Sequence, residues 1–128
     1  MPQSSMQQPG MQQMAMQQLA MQQCVQNCKD CHAICMQTIA YCLHKGGQYV
    51  HNNLIQALMD CCQMCLITED SMLRNSLLHF RACGLCVEAC RRCAEYCEQI
   101  GSDGAMQECA QLCRRCAECC QQMAMVSA

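Results

Sequence analysis

The chain has no tryptophan, one phenylalanine, three tyrosines and two prolines in 128 residues. So few rings cannot form a stacking platform for nucleic acid, and no run of Lys or Arg supplies a phosphate-binding patch. Formal charge is −2, with acids and bases mixed along the chain. No stretch reaches the ~20 apolar residues that span a bilayer, so no membrane partner is expected. The opening MPQSSMQQPGMQQMAMQQLAMQQ holds no Lys or Arg, no twin arginine and no continuous apolar segment. It therefore lacks the marks of an export signal, and a cytoplasmic location is expected, where thiols stay reduced.

Sulfur is what the chain has instead. It carries 18 cysteines and 13 methionines, almost half of its 52% hydrophobic content. Few large aliphatic side chains remain to drive collapse. So many reduced thiols in one small chain point to metal.

Residues 1–21 form a Met/Gln-rich N-terminal segment, broken early by Pro9-Gly10 and flexible or loosely helical after it. Two readings stand for it: a solvated tail, or a thioether-rich lure for a soft metal ion. Residues 22–128 form the expected domain. Helices are predicted over about 22–45, stopped by Gly46-Gly47; about 52–74; 76–100, after Asn75 with Ser76 as N-cap; and 105–124, with Asp103 as the candidate cap. Similar lengths joined by short turns predict an all-α fold, an antiparallel up-down-up-down four-helix bundle. The near-repeat of CRRCAEYCEQ (90–99) in CRRCAECCQQ (113–122) places the same face of the last two helices in the same surroundings.

The cysteines fall in four sets: Cys24, Cys28, Cys31, Cys35 and Cys42; Cys61, Cys62 and Cys65; Cys83, Cys86, Cys90, Cys93 and Cys97; Cys109, Cys113, Cys116, Cys119 and Cys120. Steps of three and four put each set on one helical face. The other faces carry Arg, Glu, Gln and Lys, so all four stripes must point inward and the core is lined with thiols. Cysteine packs as a small hydrophobe, but that does not explain 18 of them in place of leucine. Disulfides between neighbours on one helix would strain it, since Cβ atoms three or four residues apart lie ~5–6 Å from each other. Zinc knuckles and ferredoxin runs have other spacings. Monovalent copper fits: it is soft, prefers thiolate and thioether, and accepts two sulfurs in a line or three in a plane. Each Cu⁺ offsets one thiolate charge, so a filled core is nearly neutral. An empty core must keep its thiols protonated. Many equivalent sites without an open reaction centre indicate storage of multiple Cu(I) ions, with no catalytic residue assigned.

The runs CKDCHAICMQTIAYCLHKGG (28–47), LIQALMDCCQMC (54–65), MLRNSLLH (72–79) and CRRCAEYCE (90–98) resemble the bacterial copper storage proteins, and most of all their cytosolic branch. The likeness covers about 22–124. It implies a similar bundle that fills with Cu(I) for storage and detoxification, and a homotetramer. Two departures stand out. Cys62 beside Cys61 and Cys119 beside Cys120 cannot all point down one axis, so one of each pair is expected at a helix flank. Asn75 replaces the family's usual glycine.

Antiparallel packing brings Met21, Met72, His79 and Met123 to one end. The methionines there are either a weak-binding vestibule or a plug. His79, four residues before Cys83, is a candidate ligand through neutral imidazole. Tyr41, His44, His51 and Met106 share the other end, with both histidines expected in solvent. His32, four residues after Cys28, is expected beside the ligands, and Asp60 at the surface. A copper chaperone or small thiol is the exchange partner in prospect. The competing classes are a disulfide-stapled structural bundle, a thiol redox protein, which lacks a βαβ context here, and a copper chaperone, which needs only one exchangeable site.

Overall fold

Gly46, Asn75 and Gly101 are where the chain turns back on itself, and all three adopt positive φ. The computed structural model describes residues 9–126. It contains α1 (Pro9–Lys45), a short 3-10 turn (Gly47–Val50), α2 (Leu54–Leu73), α3 (His79–Gln99) and α4 (Gly104–Val126). Among the described residues there is no strand. Each helix packs against two neighbours, in the ring α1–α2–α3–α4–α1. With connections this short, consecutive helices are antiparallel.

The turns close as local chemistry dictates. Asn75, at φ 56°, ends α2 in a Schellman arrangement: the Ser76 N–H bonds the Ser71 carbonyl at 2.8 Å and the Asn75 N–H that of Met72 at 3.1 Å. Asparagine thus performs the glycine's part. Asp103 caps α4, accepting the Met106 N–H on Oδ1 at 3.1 Å. Its other oxygen accepts the hydroxyls of Tyr41 and Tyr49, each at 2.7 Å. One carboxylate therefore ties the end of α1 and the 3-10 turn to the start of α4.

Several boundaries differ from expectation. α1 does not begin near residue 22; it runs unbroken back to Pro9, whose fixed φ suits a first helical position. The expected domain boundary at 21/22 falls inside this helix. Met6, also in the Met/Gln-rich segment, lies outside the described residues. α3 starts at His79 and not at Ser76. The Ser76 hydroxyl caps only a preceding turn, accepting the Leu78 N–H at 3.1 Å. Asn52 and Asn53, both at positive φ, delay α2 to Leu54.

The hydroxyls bound to Asp103 hold its carboxyl down to about 2, and the same hydrogen bond, with desolvation, raises Tyr41 to about 12. A depressed carboxyl stabilises the fold above its unfolded value of 3.8 and loses that contribution as pH falls toward 2. Replacing Asp103 by alanine is expected to lower the melting temperature of the reduced apo-protein by several degrees at neutral pH. The difference from the native chain should vanish in acid. Asparagine, which keeps an acceptor for the cap, should cost less. Circular dichroism melts across that range check both.

Candidate metal centre

The thiols of four inward stripes gather along the bundle axis, with Cys62 and Cys119 at its flanks. Seventeen of them are buried and Cys119 is half-buried; all are free. Among the described side chains under 2% exposed, the largest are Leu54, Leu58 and Met106, followed by Thr68 and cysteine. Sulfur is the bulk of the core.

Among the groups in which every Sγ lies within 4.8 Å of the others, five sets of four draw on twelve cysteines. From the Gly101 end they are Cys35/Cys93/Cys109/Cys113, Cys31/Cys35/Cys61/Cys113, Cys31/Cys61/Cys65/Cys90, Cys65/Cys86/Cys90/Cys116 and Cys28/Cys86/Cys116/Cys120. Each group draws on three helices. Consecutive groups share two sulfurs: Cys35 and Cys113, Cys31 and Cys61, Cys65 and Cys90, Cys86 and Cys116. The core is thus one ladder of edge-sharing sulfur polygons. Separations inside it include 3.6 Å for Cys31–Cys61 and Cys61–Cys90, and 3.9 Å for Cys65–Cys86. A metal–thiolate bond of about 2.3 Å puts two sulfurs ~4.6 Å apart across a line and ~4.0 Å apart in a triangle. These separations fall just short of the triangular spacing, so small rotamer changes suffice to enclose ions.

The remaining six cysteines extend or flank it. Cys24 continues the ladder at one end, 3.6 Å from Cys120, with the Cys119 sulfur 2.8 Å away. Cys97 interacts with Cys109 and Cys93. Cys42 closes the opposite end, 3.8 Å from the Met106 thioether. Cys83 is fully buried on α3. The adjacent pairs divide as the geometry of one axis requires. Cys61 and Cys120 are fully buried on the axis, while Cys62 and Cys119 sit at flanks. Cys62 faces α1, its sulfur 3.4 Å from that of Met36. The sequence reading missed Met36, because half of that side chain is in solvent and it lies off the stripe.

The histidines separate cleanly. His79 is buried, its Nδ1 2.8 Å from the Ser76 carbonyl, which holds the proton on Nδ1 and leaves Nε2 as the lone-pair nitrogen. His32 is half-buried and bonded to the Cys62 carbonyl at 3.3 Å, beside the stripe as expected. His44, His51 and Asp60 are exposed. At the His79 end Met72 and Met123 are buried, and Met21 packs against the core. Sequence alone did not signal the Thr68 hydroxyl on the Ala82 carbonyl, which ties α2 to α3, or the Ser71 hydroxyl on the Thr68 carbonyl within α2.

Burial pushes the Cys42 thiol up to about 11 and raises that of Cys62. Hydrogen bonding with Cys113 and Cys31, together with burial, raises Cys61. Burial by itself disfavours thiolate throughout the core, while hydrogen bonds from neighbouring thiols lower Cys28, Cys31, Cys86, Cys109 and Cys119. A group whose folded pKa is raised stabilises the fold below its unfolded value of 9.0 and loses that contribution as pH rises through the folded one. The urea midpoint of reduced apo-protein should fall between pH 9 and about 11. Metal-loaded protein, already deprotonated at sulfur, should not show this fall.

An all-helical bundle with a dry, continuous thiol core defines a class: proteins that bind soft metal ions inside a four-helix bundle. The chain belongs to the copper storage protein family, whose model matches residues 17–125. Among solved structures it is similar to a protein of Nitrosospira multiformis, at 36% identity and TM-score 0.81 over 86% of this chain and 99% of that one. It is also similar to the Cu(I)-bound copper storage protein BsCsp3, at 28% identity and TM-score 0.77 over 82% and 98%. No curated protein sequence matches it. No described helix is long and apolar enough to cross a membrane.

Proposed function

We propose that the protein stores multiple Cu(I) ions on its core thiolates, in the cytosol, and so limits free copper. The sharing of two sulfurs between consecutive groups carries this reading. Isolated structural sites have no use for shared ligands, whereas a ladder lets each thiolate bridge ions and keeps one positive charge per negative sulfur. Tetrahedral zinc would also suit sulfurs ~3.8 Å apart. Its double charge matches a shared thiolate set less well, and Cu(I) is the softer ion. BsCsp3, the Cu(I)-bound relative, supports the same choice. A reducing compartment is part of the proposal, because thiols this close together would otherwise oxidise in pairs. The role is binding and not catalysis. The homotetramer implied by the family likeness, and release of copper to a chaperone or small thiol, belong to the same reading. His79 Nε2 is the proposed non-sulfur ligand at the mouth.

Anaerobic titration of reduced apo-protein with Cu(I) against a competing chelator tests it. The expected result is tight uptake well beyond the five groups, with release of protons as thiols become thiolates. Excess zinc should not displace the copper. Saturation at only about one or two ions would remove storage in favour of a single exchangeable site.

A further inference from the structure

The first third of α1 has no counterpart in the other helices. α1 is 37 residues long, against 20, 21 and 23 for α2, α3 and α4. At ~1.5 Å per residue it overhangs the bundle by about 20 Å. Every residue from 10 to 19 is exposed, and the first fully buried side chain is Cys24. Chain direction puts this overhang at the His79, Met72 and Met123 end.

Its methionines are in register with the thiols. Met14, Met21, Cys28, Cys35 and Cys42 follow one another at seven-residue intervals, and Met11 stands one turn before Met14. Met11 and Met14 are more than half exposed, while Met21 packs against the core. A row of sulfur therefore runs from solvent to the ladder without changing helix: exposed thioethers, a half-buried thioether, then buried thiols.

We infer that residues 10–21 of α1 form a Cu(I) capture site, in which Met11 and Met14 take the ion from solution and Met21 passes it to Cys24 and Cys28. The inference rests on the copper reading above. Neutral thioethers bind soft Cu(I) more weakly than thiolates do, so transfer runs inward. Copper–thioether bonds break, copper–thiolate bonds form, the thiol protons leave to water, and copper stays monovalent throughout. The surrounding glutamines add no charge that would compete for the ion. Met16, on the far side of the same helix from Met14, provides an internal control.

The test supplies Cu(I) as its acetonitrile complex to full-length reduced protein, below saturation, and follows uptake by stopped flow. Leucine keeps helix propensity and volume, so M11L/M14L is expected to fold normally. It should fill several-fold more slowly than wild type while reaching the same final capacity. M16L should match wild type. Equal rates for M11L/M14L and wild type, or equal slowing by M16L, would overturn the capture site. In a second measurement, excess Cu(I) acetonitrile is added to copper-saturated protein bearing ¹³C-methyl methionine. The Met11 and Met14 methyl signals should move and that of Met16 stay. Immobile signals from Met11 and Met14 also count against the inference. Failure of the storage reading is seen separately, as a wild type whose thiols take up no copper at all, and the capture site falls with it.

Discussion

Loading the reduced protein with Cu(I) is expected to raise its melting temperature by at least ~15 °C. The reason is what the empty core is made of. Full burial of a leucine stabilises a fold by about 1.5–3 kcal/mol, yet Leu54 and Leu58 are the two leucines on this axis. Most other axial positions hold cysteine, which removes less apolar area from water. Each metal group draws sulfurs from three helices, so an ion bound there holds the bundle together and is lost when the helices part. A site that binds only the folded state stabilises it by about 4 kcal/mol at a free concentration a thousandfold above Kd. One kilocalorie corresponds to roughly 4 °C in a domain of this size. A single site thus accounts for the stated minimum. The ladder has at least five groups, and the excess offsets copper held by CxxC pairs in the unfolded chain. Calorimetry under anaerobic conditions measures the difference. Coincident melts of empty and loaded protein would show that copper binds outside the helical core.

Replacing Cys31 and Cys61 together by alanine should remove at least about one copper ion for each thiol lost. Both belong to the same two groups, Cys31/Cys35/Cys61/Cys113 and Cys31/Cys61/Cys65/Cys90. The double change leaves two of four sulfurs in each and cuts the ladder near its middle. Capacity should fall by at least about two ions, since the pairs left, Cys35/Cys113 and Cys65/Cys90, are no longer joined by bridging thiolates. The two remaining segments should then fill independently. Cys62→Ala is the contrast. Its sulfur is at a flank against Met36 and belongs to none of the five groups named above, so its loss should cost at most about one ion. Equal losses from the two variants, measured by metal analysis after gel filtration, would mean that copper does not follow the axis. Alanine also shortens two buried side chains, so both proteins should be compared by apo-state melting as well as by capacity.

Much of this was legible from the chain alone. Steps of three and four residues fix which side of a helix a thiol occupies, because 3.6 residues per turn is local covalent geometry. The four stripes, the turns at Gly46, Asn75 and Gly101, and the capping role of Asp103 all follow from such short-range rules. The division of Cys61 from Cys62 and of Cys120 from Cys119 was foreseeable as a necessity of one axis. Its outcome was not, since which neighbour turns inward depends on how the facing helix sits.

The parts that stayed hidden are those set by several helices at once. Periodicity does not show that Cys35 and Cys113 serve two groups, that Met36 meets Cys62, or that Asp103 accepts two tyrosine hydroxyls from α1 and the turn after it. These depend on axial offset and rotation between helices, which the packing of all their side chains settles jointly. α1 likewise takes in residues 9–21 of the Met/Gln segment that composition marked as flexible or loosely helical. The sequence by itself determined that each helix would carry a row of sulfur. Only the tertiary structure decided that four rows would mesh as one edge-sharing ladder, because that sharing exists between helices and in none of them alone.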